Sequence, residues 1–197
     1  MTLRLHGLPP TPIAARGCRH GAAFSLTELM VVIAIIGLIN GLAIAIGGNG
    51  WQRERVNAVA LGLAGWLEEV RGQSLRQISD NSAAGGCVVT VNTLSQAAVS
   101  AALVTVTPSD CASTPTLLIP GVTNSGDRYD IATNAATIVF TPRGSVTSTT
   151  DTVMKVFLRG SSQLRCVRVS ALLGLVRVGS NSTASAVTDS CTDYTRF

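Results

Sequence analysis

Residues Phe24 to Ile46 read FSLTELMVVIAIIGLINGLAIAI, and what this stretch is decides what the rest of the chain has to be. From Leu29 to Ile46 the only polar side chain is Asn40. A helix rises about 1.5 Å per residue, so positions 29–46 span roughly 27 Å, close to the hydrocarbon thickness of a bilayer. That predicts a membrane-spanning helix. Glu28 stands at the head of the apolar run, where an ionised carboxylate is costly unless it is paired. A cut between Ala23 and Phe24, after the small residues Gly21-Ala22-Ala23, would put a positively charged amine on Phe24 at the same depth. Within one chain the helix rise keeps that amine several ångströms from Glu28. Between two chains staggered along a filament the two charges can meet, so the stretch reads as an assembly device. Two plainer readings compete. A secretory signal ending at Ala43-Ile44-Ala45 would be a leader of about 45 residues with a carboxylate inside it, longer and more polar than such leaders are. A plain single-span anchor leaves Glu28 without a purpose.

The run Ala23, Phe24-Ser-Leu-Thr-Glu28, LMVVIAIIG resembles the N-terminus of type IV prepilins and type II secretion pseudopilins, over residues 21–46. The resemblance implies cleavage between Ala23 and Phe24 by a membrane aspartic prepilin peptidase, N-methylation of Phe24 and polymerisation through Glu28. It further implies as partners other pilins or pseudopilins, an inner-membrane assembly platform and membrane lipid. Ala23 stands where the family usually has Gly, and Ala45 lies near the place where major pilins commonly carry a kinking Pro.

Charge agrees with that orientation. Residues 1–23 hold Arg4, Arg16, Arg19, His6 and His20 and no acid, so they are expected to stay cytoplasmic, with the remainder facing the periplasm or the exterior. The chain has 15 basic residues; removing the three leader arginines leaves 12 against 11 acids. The surviving basic character lies in residues 140–197. The expected division is a leader over 1–23, a transmembrane and polymerisation helix over 24–46, a hinge and amphipathic helix over 47–80, and a β-rich globular region over 81–197. The expected location is the inner membrane, single-pass, with the C-terminal region periplasmic.

Five cysteines become four once Cys18 leaves with the leader. Cys87, Cys111, Cys166 and Cys191 in an extracytoplasmic domain suggest two disulfides. Three pairings are possible; short loops favour Cys87–Cys111 and Cys166–Cys191.

Gly47-Gly48-Asn49-Gly50 predicts a hinge or melted turn, since glycine costs a helix about 1 kcal/mol against alanine. Val56, Val59, Ala60, Leu63, Trp66, Leu67, Val70, Ser74, Leu75 and Ile78 then recur at steps of three and four, the stripe of a helix that covers a sheet. Beyond Gly86 the helical period is lost. Strands are expected near 87–92, 102–106, 116–119, 129–132, 137–141, 153–158, 164–169 and 173–178, with Met154, Val156 and Leu158 alternating against Lys155, Phe157 and Arg159 as in a sheet with one buried face. One long helix, then Phe140-Thr-Pro142-Arg-Gly144 and paired strands ending LLGLVRVG, is similar to the H-type pseudopilin and FimT minor-pilin family. Arg71 sits where that family often has an Arg-Ser-Glu-Ala helix signature, of which only the arginine is present. The resemblance implies an α+β fold, pilin-like, with a long, partly transmembrane helix packed on an antiparallel β-sandwich.

Catalysis is not expected. Both histidines lie in the leader, no Cys-x-x-Cys spacing and no phosphate loop is present, and Lys155 is the only lysine. No cofactor and no metal site is implied. The leading function is a low-copy structural subunit, a minor type IV pilin or a type II secretion pseudopilin. The alternative is a DNA-binding minor pilin serving DNA uptake in natural transformation, through Arg143, Lys155, Arg159, Arg165, Arg168 and Arg177. DNA-binding FimT proteins use a Gly-Arg-x-Arg element near the last strand; Gly174-Leu175-Val176-Arg177 occupies that place with the first arginine missing.

Overall fold

The computed structural model describes residues 25–76, 86–120, 126–192 and 194–196, with the side chains of 42–49 and 195–196 left outside the description. The chain divides into two compact units, Met1–Ala43 and Ile44–Phe197. A single helix, α1 (Leu26–Ser74, 49 residues), contributes to both. It is unbroken through Gly47-Gly48-Asn49-Gly50, so the melted turn that the glycines predict does not form.

In the first unit, Ser25 precedes the helix and Glu28 lies in its first turn, the Ser-x-x-Glu spacing of a helix start. A carboxylate there is favoured by the positive end of the helix dipole. Asn40 turns its amide back along the helix and donates to the Ile36 carbonyl at 2.8 Å, which satisfies the one polar group in the run without a partner chain.

The expected membrane span and the location built on it are corrected here. No helix among the described residues is long and apolar enough to cross a membrane, which overturns the partly transmembrane, pilin-like α+β class and the single-pass inner-membrane placement. The apolar run with described side chains, from Leu29 to the residue before Asn40, covers roughly 16 Å at about 1.5 Å per residue, about half of a bilayer core. Positions 42–46, which the sequence reading added to it, lie outside the described side chains.

From Ile44 onward the structure is mostly β. The first antiparallel sheet runs in the order β4 (Thr116–Leu118), β3 (Ala102–Thr107), β1 (Cys87–Val91), β6 (Thr137–Phe140). The second runs β10 (Thr195–Arg196), β9 (Val176–Asn181), β8 (Leu164–Val169), β7 (Thr152–Leu158), β5 (Tyr129–Thr133), β2 (Leu94–Ala97). Val56, Val59, Ala60, Leu63, Trp66, Leu67 and Val70 of α1 form one buried cluster with residues of both sheets, among them Val89, Leu103 and Ile138 of the first and Ile131, Met154 and Val167 of the second. The three- and four-residue steps put these side chains on one helix face, and burying that face orders the helix against the strands.

Polar links fix the helix on its bed. Trp66 Nε1 donates to the Thr114 carbonyl at 2.9 Å, Arg71 Nε to the Gly144 carbonyl at 2.9 Å, and Arg55 pairs with Asp127 at 2.9 Å. The Ser113 amide donates to Glu69 at 2.7 Å, and that bond holds the Glu69 carboxyl below its usual range.

Three strands depart from the sequence reading, one of them β10, which lies beyond the last expected strand. β9 begins at Val176 because Leu172 (φ 59°) and Gly174 (φ 65°) are spent on the turn after β8. β2 lies in a short polar stretch, LSQA, that carries no strand pattern. β7 and β8 are also buried on both faces for much of their length: a second cluster of Phe157, Leu164, Cys166 and Ala184 covers the side turned away from α1.

Candidate functional site

Ala23 and Phe24, the expected processing site, lie outside the described residues. Glu28 is exposed, and no described hydrogen bond or ion pair reaches it. Around it the helix is apolar on every side: Leu26, Leu29, Met30, Val31, Val32, Ile33, Ile35, Ile36, Leu38 and Ile39 are each between 44% and 71% exposed. A helix apolar all round is stable only when something covers it.

The cysteines pair as Cys87–Cys111 and Cys166–Cys191, the two short loops. The first ties the start of β1 to the 3-10 turn Ser109–Cys111 inside the main core. The second fastens the segment after β9 across the outer face of the second sheet. That segment, a strap over 183–192, is held at several further points. Lys155 Nζ donates to the Thr188 and Asp189 carbonyls at 2.9 and 2.8 Å, and Asn181 Nδ2 to the Ser190 carbonyl at 2.8 Å. The Asp189 carboxylate accepts from the Ser185 and Ala186 amides at 2.7 and 3.2 Å. The Tyr194 ring lies so close to β9 that a Cβ at Gly179 would come within 2.7 Å of it, so a larger residue there would have to displace the ring.

The Ser185 and Ala186 amides favour the charged form of Asp189 and pull its pKa below 3.8. A carboxyl depressed on folding stabilises the turn above its ordinary pKa, and that contribution is lost as pH falls through the depressed one. An NMR titration should therefore place the Asp189 midpoint below 3.8; a midpoint at or above that value would mean that the two amide bonds do not persist in solution.

The six basic residues singled out in the sequence separate into distinct environments. Arg165 points inward, only 3% exposed, with Nε on Asn57 Oδ1 at 2.5 Å and an Nη on the Leu164 carbonyl at 3.0 Å. Burial, and then Arg53, push its pKa down. Arg159 pairs with Asp130 at 2.8 Å, and Lys155 is spent partly on the strap. Arg143 is exposed, beside its own turn at Thr141. Arg168 and Arg177 sit directly opposite each other on β8 and β9. Arg168 Nε lies 2.8 Å from Asp151 Oδ2, off the angle of a hydrogen bond, and its guanidinium stacks 5.2 Å from the centre of the Tyr194 ring. Arg177 has a buried Nε that no hydrogen bond reaches.

Between the outer sheet face and the strap lies a cleft of about 620 Å³, whose lining includes Val153, Lys155, Arg168, Val187, Ser190 and Tyr194. Among the described residues that line it, the charged ones are Lys155 and Arg168. Burial raises the Tyr194 phenol, with Arg168 opposing, so the hydroxyl stays protonated at neutral pH. The sequence reading did not find this cleft. Tyr194 stands alone in a polar tail, and only the Cys166–Cys191 spacing hints that the tail returns to the sheet. Among the described residues no group of three His, Cys, Asp or Glu side chains gathers where a metal could be held.

No family model, curated protein or solved structure matches this chain.

Proposed function

We propose that this chain is a low-copy structural subunit of a filament, a minor type IV pilin or a type II secretion pseudopilin, and not an enzyme. The observation that carries the reading is the exposed apolar helix from Leu26 to Ile39 with a carboxylate in its first turn that no described residue pairs. Helices of the same kind from neighbouring subunits would cover such a surface, and the amine of a processed Phe24 on the next subunit would neutralise Glu28. The partners on this reading are a prepilin peptidase acting between Ala23 and Phe24, other pilins or pseudopilins, and their assembly platform. The disulfide-tied β unit then stands on the filament as the part that meets other molecules.

DNA uptake is the weaker reading. Arg165 is buried, Arg159 and Arg168 have carboxylate partners, and Lys155 holds the strap, so most of the basic residues serve this chain's own fold. A duplex needs several cations converging on one open surface, which these residues do not form.

Glu28→Gln keeps the shape and removes the charge. Its level in sheared filament fractions should fall at least about tenfold, the equivalent of one lost ion pair of 1.4 kcal/mol, while total chain stays constant. Normal incorporation of Glu28→Gln, measured by immunoblot of filament and cell fractions, would sink the proposal. So would a mature N-terminus other than Phe24 by mass spectrometry.

A further inference from the structure

We propose that the cleft under the 183–192 strap binds a small organic oxyanion, a carboxylate or phosphate monoester carried on an apolar or aromatic body. This is independent of filament assembly, which uses the other end of the chain.

Charge comes first. Lys155 and Arg168 lie on the same outer face, as neighbours on the diagonal of the β7–β8 ladder, in which Lys155 faces Cys166 and Val153 faces Arg168. Diagonal neighbours stand roughly 7–8 Å apart, a gap that an oxyanion bridges. Arg177 adds a third cation directly across from Arg168, outside the cleft lining, and Asp151 pairs with Arg168 alone of the three. The described carboxylates nearby, Asp151 and Asp189, are occupied. Asp151 takes Arg168 Nε on one oxygen and the Ala171 amide at 2.7 Å on the other, and Asp189 is spent on the strap turn. Neither lines the cleft.

Donors come second. Lys155 retains one N–H after the Thr188 and Asp189 carbonyls, since an ammonium has three. No described hydrogen bond uses the two Nη groups of Arg168, which leaves a planar fork suited to two oxygens of one anion. The Tyr194 ring stacks on that guanidinium, fixing its plane, and its protonated hydroxyl adds a neutral donor.

Shape comes third. A volume of about 620 Å³ falls within the roughly 300–1,000 Å³ of small-molecule sites, far more than a bare phosphate needs. Val153, Val187 and the Tyr194 ring supply apolar wall for the rest of the molecule. The strap lies across the same sheet face, which excludes a duplex and favours a compact ligand.

The test uses full-length chain held in non-ionic detergent, with binding measured by calorimetry and by shifts of the Tyr194 ring protons. The probes are benzoate, phenyl phosphate, inorganic phosphate and benzamide. Benzoate or phenyl phosphate should bind at least about tenfold tighter than neutral benzamide, the worth of one charge-assisted contact. Arg168→Gln should remove that preference. Val187→Trp, which fills the cleft and leaves both cations in place, should weaken the organic anion by at least about tenfold at an unchanged melting temperature. The second variant decides the matter should Arg168→Gln fold poorly. Benzamide binding as well as benzoate, Val187→Trp binding as well as the natural chain, or no Tyr194 shift at millimolar anion would each overturn the proposal. Inorganic phosphate matching phenyl phosphate would overturn the organic part, leaving a site for free anion alone.

Discussion

Replacing Cys87, Cys111, Cys166 and Cys191 together by alanine will remove about 7 kcal/mol of stability and bring the β unit close to unfolding at ambient temperature. Each bond closes a loop, of separation 24 for Cys87–Cys111 and 25 for Cys166–Cys191. Loop entropy in the unfolded chain is worth about 3.5 kcal/mol for such a length. The loops do not overlap in sequence, so the two contributions should add. Domain stabilities run to only about 5–15 kcal/mol, so half or more of the total is at stake. Alanine is the right replacement because Cys87, Cys111 and Cys166 are fully buried, and serine would add unpaired hydroxyls to the core. In thermal unfolding the change should appear as a fall of roughly 14–28 °C, at about 2–4 °C per kcal/mol for a chain of this size. Removing only Cys166 and Cys191 should give about half of that and release the strap, seen as loss of the distinct Tyr194 ring signals. A quadruple variant melting within a few degrees of the natural chain would show that the packing of α1 on the sheets carries the fold without the crosslinks.

Asn57→Leu should cost about 3 kcal/mol, whereas Arg165→Met should cost no more than about 1. Arg165 projects from β8 to the inner face, is 3% exposed, and rests its Nε on Asn57 Oδ1 of the helix. Taking away only the acceptor leaves a charged group desolvated and short of a partner, and Arg53 nearby makes that worse. Methionine at 165 fills similar volume with no charge to satisfy. The double variant should therefore resemble Arg165→Met alone, recovering most of the loss. Denaturant unfolding of the four chains closes the cycle. Asn57→Leu within about 0.5 kcal/mol of the natural chain would mean that water reaches the guanidinium and the contact is not a buried one. The same logic bears on nucleic acid: reduced DNA binding in Arg165→Ala would report a damaged fold, while Arg143→Ala would report a surface contact.

The candidate sites were unequally legible. Glu28 and the apolar run could be named from the sequence because a lone carboxylate at the head of an apolar stretch is unusual whatever the fold. The six basic residues could be counted but not sorted. Alternation along β8 puts Arg165 and Arg168 on opposite faces, yet which face meets α1 depends on the whole sheet. Lys155 is tied up by carbonyls more than thirty residues away, at Thr188 and Asp189, which local sequence does not show. The cleft had no sequence signature, since Lys155, Arg168 and Tyr194 come from separate parts of the chain.

The sequence by itself determined the stripe from Val56 to Val70, the rough positions of most strands and the two short-loop pairings of Cys87, Cys111, Cys166 and Cys191. These depend on patterns within a few residues: a period near 3.6 for a helix face, alternation for a strand, and loop length for a disulfide. The tertiary structure decided what those patterns could not. It kept α1 helical through the 47–50 glycines and added β2 from a stretch without a strand pattern. It buried β7 and β8 on both faces, because the tail folds back over a surface that alternation alone would leave to solvent. It also overturned the membrane reading, since no helix among the described residues is long and apolar enough to cross a bilayer. Burial, ion pairing and the closing of the strap arise from contacts between segments distant in the chain, and such contacts are fixed only when the sheets and the helix pack together.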